Sequence, residues 1–295
     1  MYKFHGKVYP DMKQSFGILG MYFVFTLLGG IISIAFRNLL PKDLSFFIVY
    51  LVINGLTFVW AYSKRKRKSG NSDFNMKVAK KTDLPFLIVA TLALLISVTA
   101  PIVSTIPISE FMRKVILEMG QMKGVIWFIT LVIAAPVFEE LIFRGIILDG
   151  LLKKYQPLKA ILLSSVLFGL AHLNTVQFVG AFIGGMFMGW VYWKTRNVFL
   201  TMLIHATTNC ASFIAGATSS KQAWDESLVE TYGGTINLIL SIVGGFVVLA
   251  ICFYYLNRSF GKARVTVLPV NEEKLDLSDS GSTPAPASNH LEPVD

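Results

Sequence analysis

The chain has 295 residues, of which 54% are hydrophobic and 15% charged, and a mean hydropathy of +0.58; one soluble core of this length does not need so much apolar side chain, so the surplus has to face lipid. The net charge of +9 does not point to nucleic acid, because the basic residues fall between apolar stretches and not along one helical face. Only two cysteines occur, Cys210 and Cys252, both inside apolar runs, which excludes a disulfide framework and a zinc-ribbon spacing.

A membrane span needs about 20 mostly apolar residues, and 16–36, 44–63 and 84–103 meet this without a charge. The first is too long for a signal-peptide core and has no small-residue cleavage site after it, so it is expected to stay as a helix. In 104–123, Ile108, Phe111, Met112, Val115, Ile116 and Met119 recur at helical spacing while Arg113, Lys114 and Glu118 interrupt any span, which predicts an amphipathic helix on the membrane surface. The fourth span, 124–152, is broken by Glu139, Glu140, Arg144 and Asp149. The remaining apolar stretches are 160–173, 176–193, 198–217 and 235–256. The expectation is an all-α polytopic bundle of about eight transmembrane helices. It divides into three N-terminal spans (1–103), an interfacial helix (104–123), a core of four spans (124–217), a loop with the last span (218–264) and a disordered cytoplasmic tail (265–295), whose Pro, Ser, Asp and Glu cannot bury enough apolar surface to order it.

With an even number of spans and an inner N-terminus, the inner side holds 21 of the 27 Lys and Arg residues, counting Arg144 of the fourth span with the loop that follows it and including the 64–68 run. That asymmetry predicts both termini in the cytoplasm, and the 64–68 run reads as a topology signal with an attraction to anionic lipid.

An ionisable side chain at the bilayer centre costs about 2.5–3.5 kcal/mol on insertion scales, so the few inside spans need a reason. They are Glu139, Glu140 and Arg144 on the fourth span, His172 at the end of the fifth, and His205 with Asn209 on the seventh. Glu140 and Arg144 are four apart with the acid first, the arrangement that favours a pair on one helical face. Glu139 projects about 100° away and is left without that partner, so it is the chemically available carboxylate. Measured along the helices, His205 lies about 13 Å from Arg196, His172 about 20 Å from Lys159 and Glu139 about 21 Å from Lys153. The three can share a layer in the middle of the membrane or toward its Lys- and Arg-rich side. Pro136 is expected to disturb the helix next to Glu139. Gly180, Gly184, Gly185 and Gly189 offer small-residue spacings for close helix packing, and Cys210 reads as a small buried hydrophobe.

Glu139-Glu140-Leu-Ile-Phe-Arg144, Phe168-Gly-Leu-Ala-His172 and His205-Ala-Thr-Thr-Asn209 fit the motifs EExxxR, FxxxH and HxxxN in order on successive apolar segments. Over about residues 125–213 the chain thereby resembles the CPBP group of intramembrane proteases, also called the Abi or CAAX-protease and bacteriocin-processing family. The resemblance implies an intramembrane endopeptidase in which Glu139 and His172 activate water while His205 and Asn209 stabilise the oxyanion, with Glu140, Arg144 and Phe168 supporting the site. It implies a peptide or protein substrate, lipidated ones included, and surrounding membrane lipid, with a bacterial plasma membrane favoured as the location. A cofactor-free glutamate mechanism is favoured. The alternative is a divalent metal such as zinc on Glu139, His172 and His205, with an open position for water. Buried Glu, Arg and His also fit a proton-coupled transporter or a non-catalytic scaffold or immunity protein, although no inverted repeat is evident.

Overall fold

The computed structural model describes residues 8–36, 39–70, 73–120, 122–218 and 227–266, and every regular element among them is helical. The expected tail lies outside the described residues from 267 onward, as does 219–226 of the last loop. The helices are α1 (Met12–Phe36), α2 (Lys42–Ser69), α3 (Asp83–Ser104), α4 (Glu110–Gly120), α5 (Val125–Lys154), α6 (Pro157–Leu170), α7 (Thr175–Thr195), α8 (Val198–Thr218), the single turn α9 (Leu228–Thr231) and α10 (Thr235–Thr266).

Seven of them, α1, α2, α3, α5, α7, α8 and α10, are long and apolar enough to cross a membrane, and the chain is an integral membrane protein. The expected fifth span is shorter than the pattern 160–173 suggested: α6 has 14 residues, about 21 Å at the α-helical rise, against a hydrocarbon core of about 30 Å. It stops before His172, which sits in the turn to α7. Asn174 caps α7, its Oδ1 accepting from the Gln177 amide at 2.9 Å, while its Nδ2 donates to the His172 carbonyl at 3.0 Å.

The core is built around α5. Every residue from Ile142 to Leu151 is buried, whereas α10 leaves Ile236, Leu240, Val243, Val247 and Ile251 exposed, as a helix facing lipid must. In α3 and α5 the hydrogen-bond ladder widens to π-helical geometry over Leu95–Thr99 and Ile129–Ala134, and Pro101 and Pro136 follow two residues later. A proline ring crowds the carbonyl four residues back; those carbonyls, of Ser97 and Val132, lie inside the widened turns, which make room for the rings. The disturbance expected at Pro136 takes this form. On α7, a Cβ at Gly185 would stand 3.2 Å from the Ser165 side chain, and one at Gly189 would stand 2.8 Å from Ile161 Cγ2, so these two glycines let α7 close on α6. Gly180 and Gly184 would meet neighbours only at ordinary contact distance.

The segments with inner-loop charge meet at one end of the bundle. Asp149 on α5 is the hub: its Oδ2 accepts from Lys153 at 2.7 Å and Arg65 at 3.3 Å, and its Oδ1 from Tyr192 and Arg196, each at 3.3 Å. Arg65 is thus not a lipid-facing member of the 64–68 run, as expected, but is buried under Phe74, 4.6 Å from its ring centroid. At the same end the Lys154 ammonium lies 3.2 Å from Asp11, Asn197 donates to the Lys77 carbonyl at 2.7 Å, and Ser259 of α10 donates to Asp83 of α3 at 2.7 Å. At the opposite end Lys123 donates to the Ala217 carbonyl at 3.0 Å. Since α5 and α7 both arrive at the charged end, α6 has to lead away from it, which preserves an even count of passes.

The N-terminal segment seals that end against α5. A Cβ on Gly150 would lie 2.5 Å from both the amide nitrogen and the carbonyl oxygen of Pro10, main-chain atoms that cannot rotate aside. Gly150→Ala should therefore destabilise the folded protein by about 1–3 kcal/mol, the usual range for overpacking, seen as a lower thermal unfolding midpoint in detergent; an unchanged midpoint would contradict this seal.

Candidate active site

Two adjacent carboxylates leave α5 in different directions and find different partners. Glu140 is fully buried and its Oε1 accepts from Arg144 Nη1 at 2.7 Å and from His205 Nδ1 at 3.0 Å. The spacing predicted the Arg144 pair; the bond to His205 is a tertiary addition that ties α8 to α5. Gly185 of α7 leaves space for the guanidinium, since a Cβ there would lie 3.3 Å from Arg144 Nη2. The guanidinium also lies over the ring of Phe168, 4.2 Å from its centroid, a cation–π contact that helps offset the loss of water. Phe168 meets His172 and His205 edge-on, at centroid separations of 5.2 and 5.6 Å, so one aromatic ring touches members of all three motifs.

Glu139 turns to the other side and lines a cavity of about 360 Å³ together with His172, His205 and Asn209. All four residues expected to be functional therefore share one space. Glu139 is not without a partner, as expected from α5 alone: its Oε1 accepts from the Tyr50 hydroxyl of α2 at 2.7 Å. Its Oε2 is buried without a hydrogen bond and lies 3.9 Å from His205 Nε2. Tyr50 went unnoticed in the sequence because it sits in a charge-free span, although a tyrosine hydroxyl at such depth needs a polar partner.

The imidazoles are oriented by their second nitrogens. His172 Nδ1 lies 2.9 Å from the Phe168 carbonyl; a carbonyl can only accept, so Nδ1 carries the proton and Nε2 is the lone-pair nitrogen of the neutral ring. His205 presents Nδ1 to Glu140, leaving Nε2 toward Glu139. Asn209 donates through Nδ2 to the carbonyl of Leu131 at 2.8 Å, in the π-helical stretch before Pro136, so one amide hydrogen is already engaged. Leu173, next to His172, has φ of 57°, a left-handed conformation unusual for a branched side chain.

Glu139 and His205 lie near the middles of α5 and α8, within the expected layer. The cavity extends away from the basic end: it reaches Phe46 and Trp127, near the starts of α2 and α5. Among the described residues no group of three His, Cys, Asp or Glu side chains is placed to hold a metal ion. Cys210 is partly buried and Cys252 buried, both as thiols.

Residues 121–211, which carry all three motifs, match the family model described as type II CAAX prenyl endopeptidase Rce1-like. A stretch of 77 residues is 31% identical to the Bacillus subtilis (strain 168) protein described as "Putative membrane peptidase YdiL"; it makes up 26% of this chain and 32% of that protein. The match thus spans about a third of that relative's length. No solved structure matches the chain. With the three motifs gathered about one buried cluster inside the matched segment, residues 121–211 are similar to the Rce1-like family of type II CAAX prenyl endopeptidases.

Proposed function

We propose that the protein is an intramembrane endopeptidase that hydrolyses a peptide bond in a membrane-associated peptide or protein, lipidated substrates included. The observation that carries this reading is the convergence of Glu139, His172, His205 and Asn209 on one cavity in the middle of an apolar bundle. Water bound at Glu139 Oε2 gives a proton to that carboxylate as its oxygen attacks the substrate carbonyl, with His172 Nε2 as a second acceptor that orients it. His205, held through Nδ1 by Glu140, turns Nε2 toward the developing oxyanion, and the remaining amide hydrogen of Asn209 assists. The carbon–nitrogen bond then breaks and the proton held by Glu139 passes to the leaving amine.

This reading uses no metal: carboxylate and imidazole alone activate the water. The matched family's description names a prenyl endopeptidase and the B. subtilis relative's a membrane peptidase, which supports a peptide or protein substrate. The basic residues collected at one end of the bundle support an orientation with both termini cytoplasmic. In a variant lacking Cys210 and Cys252, an impermeant thiol reagent on intact cells should label Glu118→Cys and reach Lys81→Cys only after lysis; the reverse would invert the orientation.

Purified protein in detergent should cleave members of a peptide library containing prenylated and unprenylated sequences, read by mass spectrometry of new termini. Glu139→Gln should abolish cleavage with an unchanged unfolding midpoint. Glu140→Gln should instead lower that midpoint, because leaving Arg144 buried without its carboxylate costs about 3–5 kcal/mol. A chelator should leave the wild-type rate unchanged; loss of activity restored by added zinc would replace the glutamate mechanism with the metal one. Equal cleavage by wild type and Glu139→Gln would remove Glu139 as the general base, and no cleavage of any library member by the wild type would overturn the peptidase reading.

A further inference from the structure

We infer that Tyr50, on α2 and outside the segment matched by the family, is a positioning residue for Glu139 that keeps one carboxylate oxygen open for water. The inference rests on the peptidase reading above and adds to it a residue from the N-terminal helices. Glu139 has two potential donors in reach: the Tyr50 hydroxyl at 2.7 Å from Oε1, and His205 Nε2 at 3.9 Å from Oε2. The second separation is too long for a hydrogen bond yet short enough that a rotation of the carboxylate would close it. If it closed, the general base and the oxyanion donor would satisfy each other, and neither would face a substrate. The Tyr50 hydroxyl prevents that collapse by holding Oε1, so that Oε2 remains buried without a protein partner.

The phenol is itself held. Its ring stacks on Phe46, one turn earlier on α2, at a centroid separation of 6.4 Å, and Phe46 packs edge-on against Trp127 of α5 at 5.3 Å. Trp127 and Glu139 ride on the same helix, so the aromatic series fixes the register of Tyr50 against the carboxylate it serves. One turn further along α2, Asn54 donates to the Tyr50 carbonyl at 3.0 Å. Tyr50, Phe46 and Trp127 all line the cavity that holds Glu139, which places the hydroxyl at the site and not in a remote packing contact.

The test compares wild type, Glu139→Gln, Tyr50→Phe and Phe46→Leu in detergent, using as probe the library peptide that the wild type cleaves fastest. Tyr50→Phe keeps the ring and removes only the hydroxyl. It should lower kcat about 10- to 100-fold, the usual worth of a hydrogen bond to a charged group, with KM within about twofold and no change in the unfolding midpoint. Phe46→Leu, which loosens the ring but leaves the hydroxyl, should lower kcat by less. Wild-type kcat in Tyr50→Phe, a loss lying wholly in KM, or a loss that follows a fall in the unfolding midpoint would each overturn the positioning role while leaving the peptidase reading intact. Equal cleavage by wild type and Glu139→Gln would remove the role of Glu139 and that of Tyr50 with it, whereas a wild type that cleaves no library peptide would remove the peptidase reading itself.

Discussion

The carboxylate of Glu140 is the point on which the arrangement turns. It is fully buried in an apolar bundle, where an unpaired charge is very costly, and it accepts from a guanidinium on its own helix and an imidazole from α8. Meeting both donors fixes the rotation of α5 about its axis and the depth of α8 beside it. Once Glu140 is so placed, Glu139 has no choice but to project to the neighbouring side, into the cavity. The Arg144 guanidinium in turn requires the bare backbone of Gly185 and the face of Phe168, so α6 and α7 are positioned by the same ion pair.

Away from this cluster the bundle separates its polar duties by depth. Asp149, five residues beyond Arg144 on α5, gathers Arg65, Lys153, Tyr192 and Arg196 at the basic end. That hub joins α2, α5 and α7 to the loop before α8 and closes the bundle there. Toward the other end the helices leave the space lined by Phe46, Tyr50 and Trp127. A bundle closed at one end and hollow from its middle toward the other leaves space beside Glu139 without opening the whole interior.

The shortness of α6 is part of the same design. A helix of 14 residues cannot cross the hydrocarbon core, so its terminal turn, with His172, ends beneath the far surface. Main chain at that depth has to satisfy its own polar groups. Asn174 does so by capping α7 and holding the His172 carbonyl, while His172 Nδ1 takes up the Phe168 carbonyl. The left-handed Leu173 lies between these two tethers, in the tight reversal that brings the imidazole to the cavity.

Much of this was legible in the amino-acid order, because burying an ionisable group in lipid is so expensive that each one inside a span announces a purpose. The seven long spans, the Glu140–Arg144 pair and the candidate roles of Glu139, His172, His205 and Asn209 follow from composition, helical spacing and the three motifs. What spacing along one helix cannot convey is which neighbour a side chain meets across the bundle. The hydroxyl of Tyr50 on Glu139, the bond from His205 to Glu140, the burial of Arg65 within a run that looks like solvated charge, and the side toward which the cavity extends were all decided by packing between distant segments. A tyrosine, or an arginine among lysines, carries no sign in one dimension of the carboxylate it will find in three.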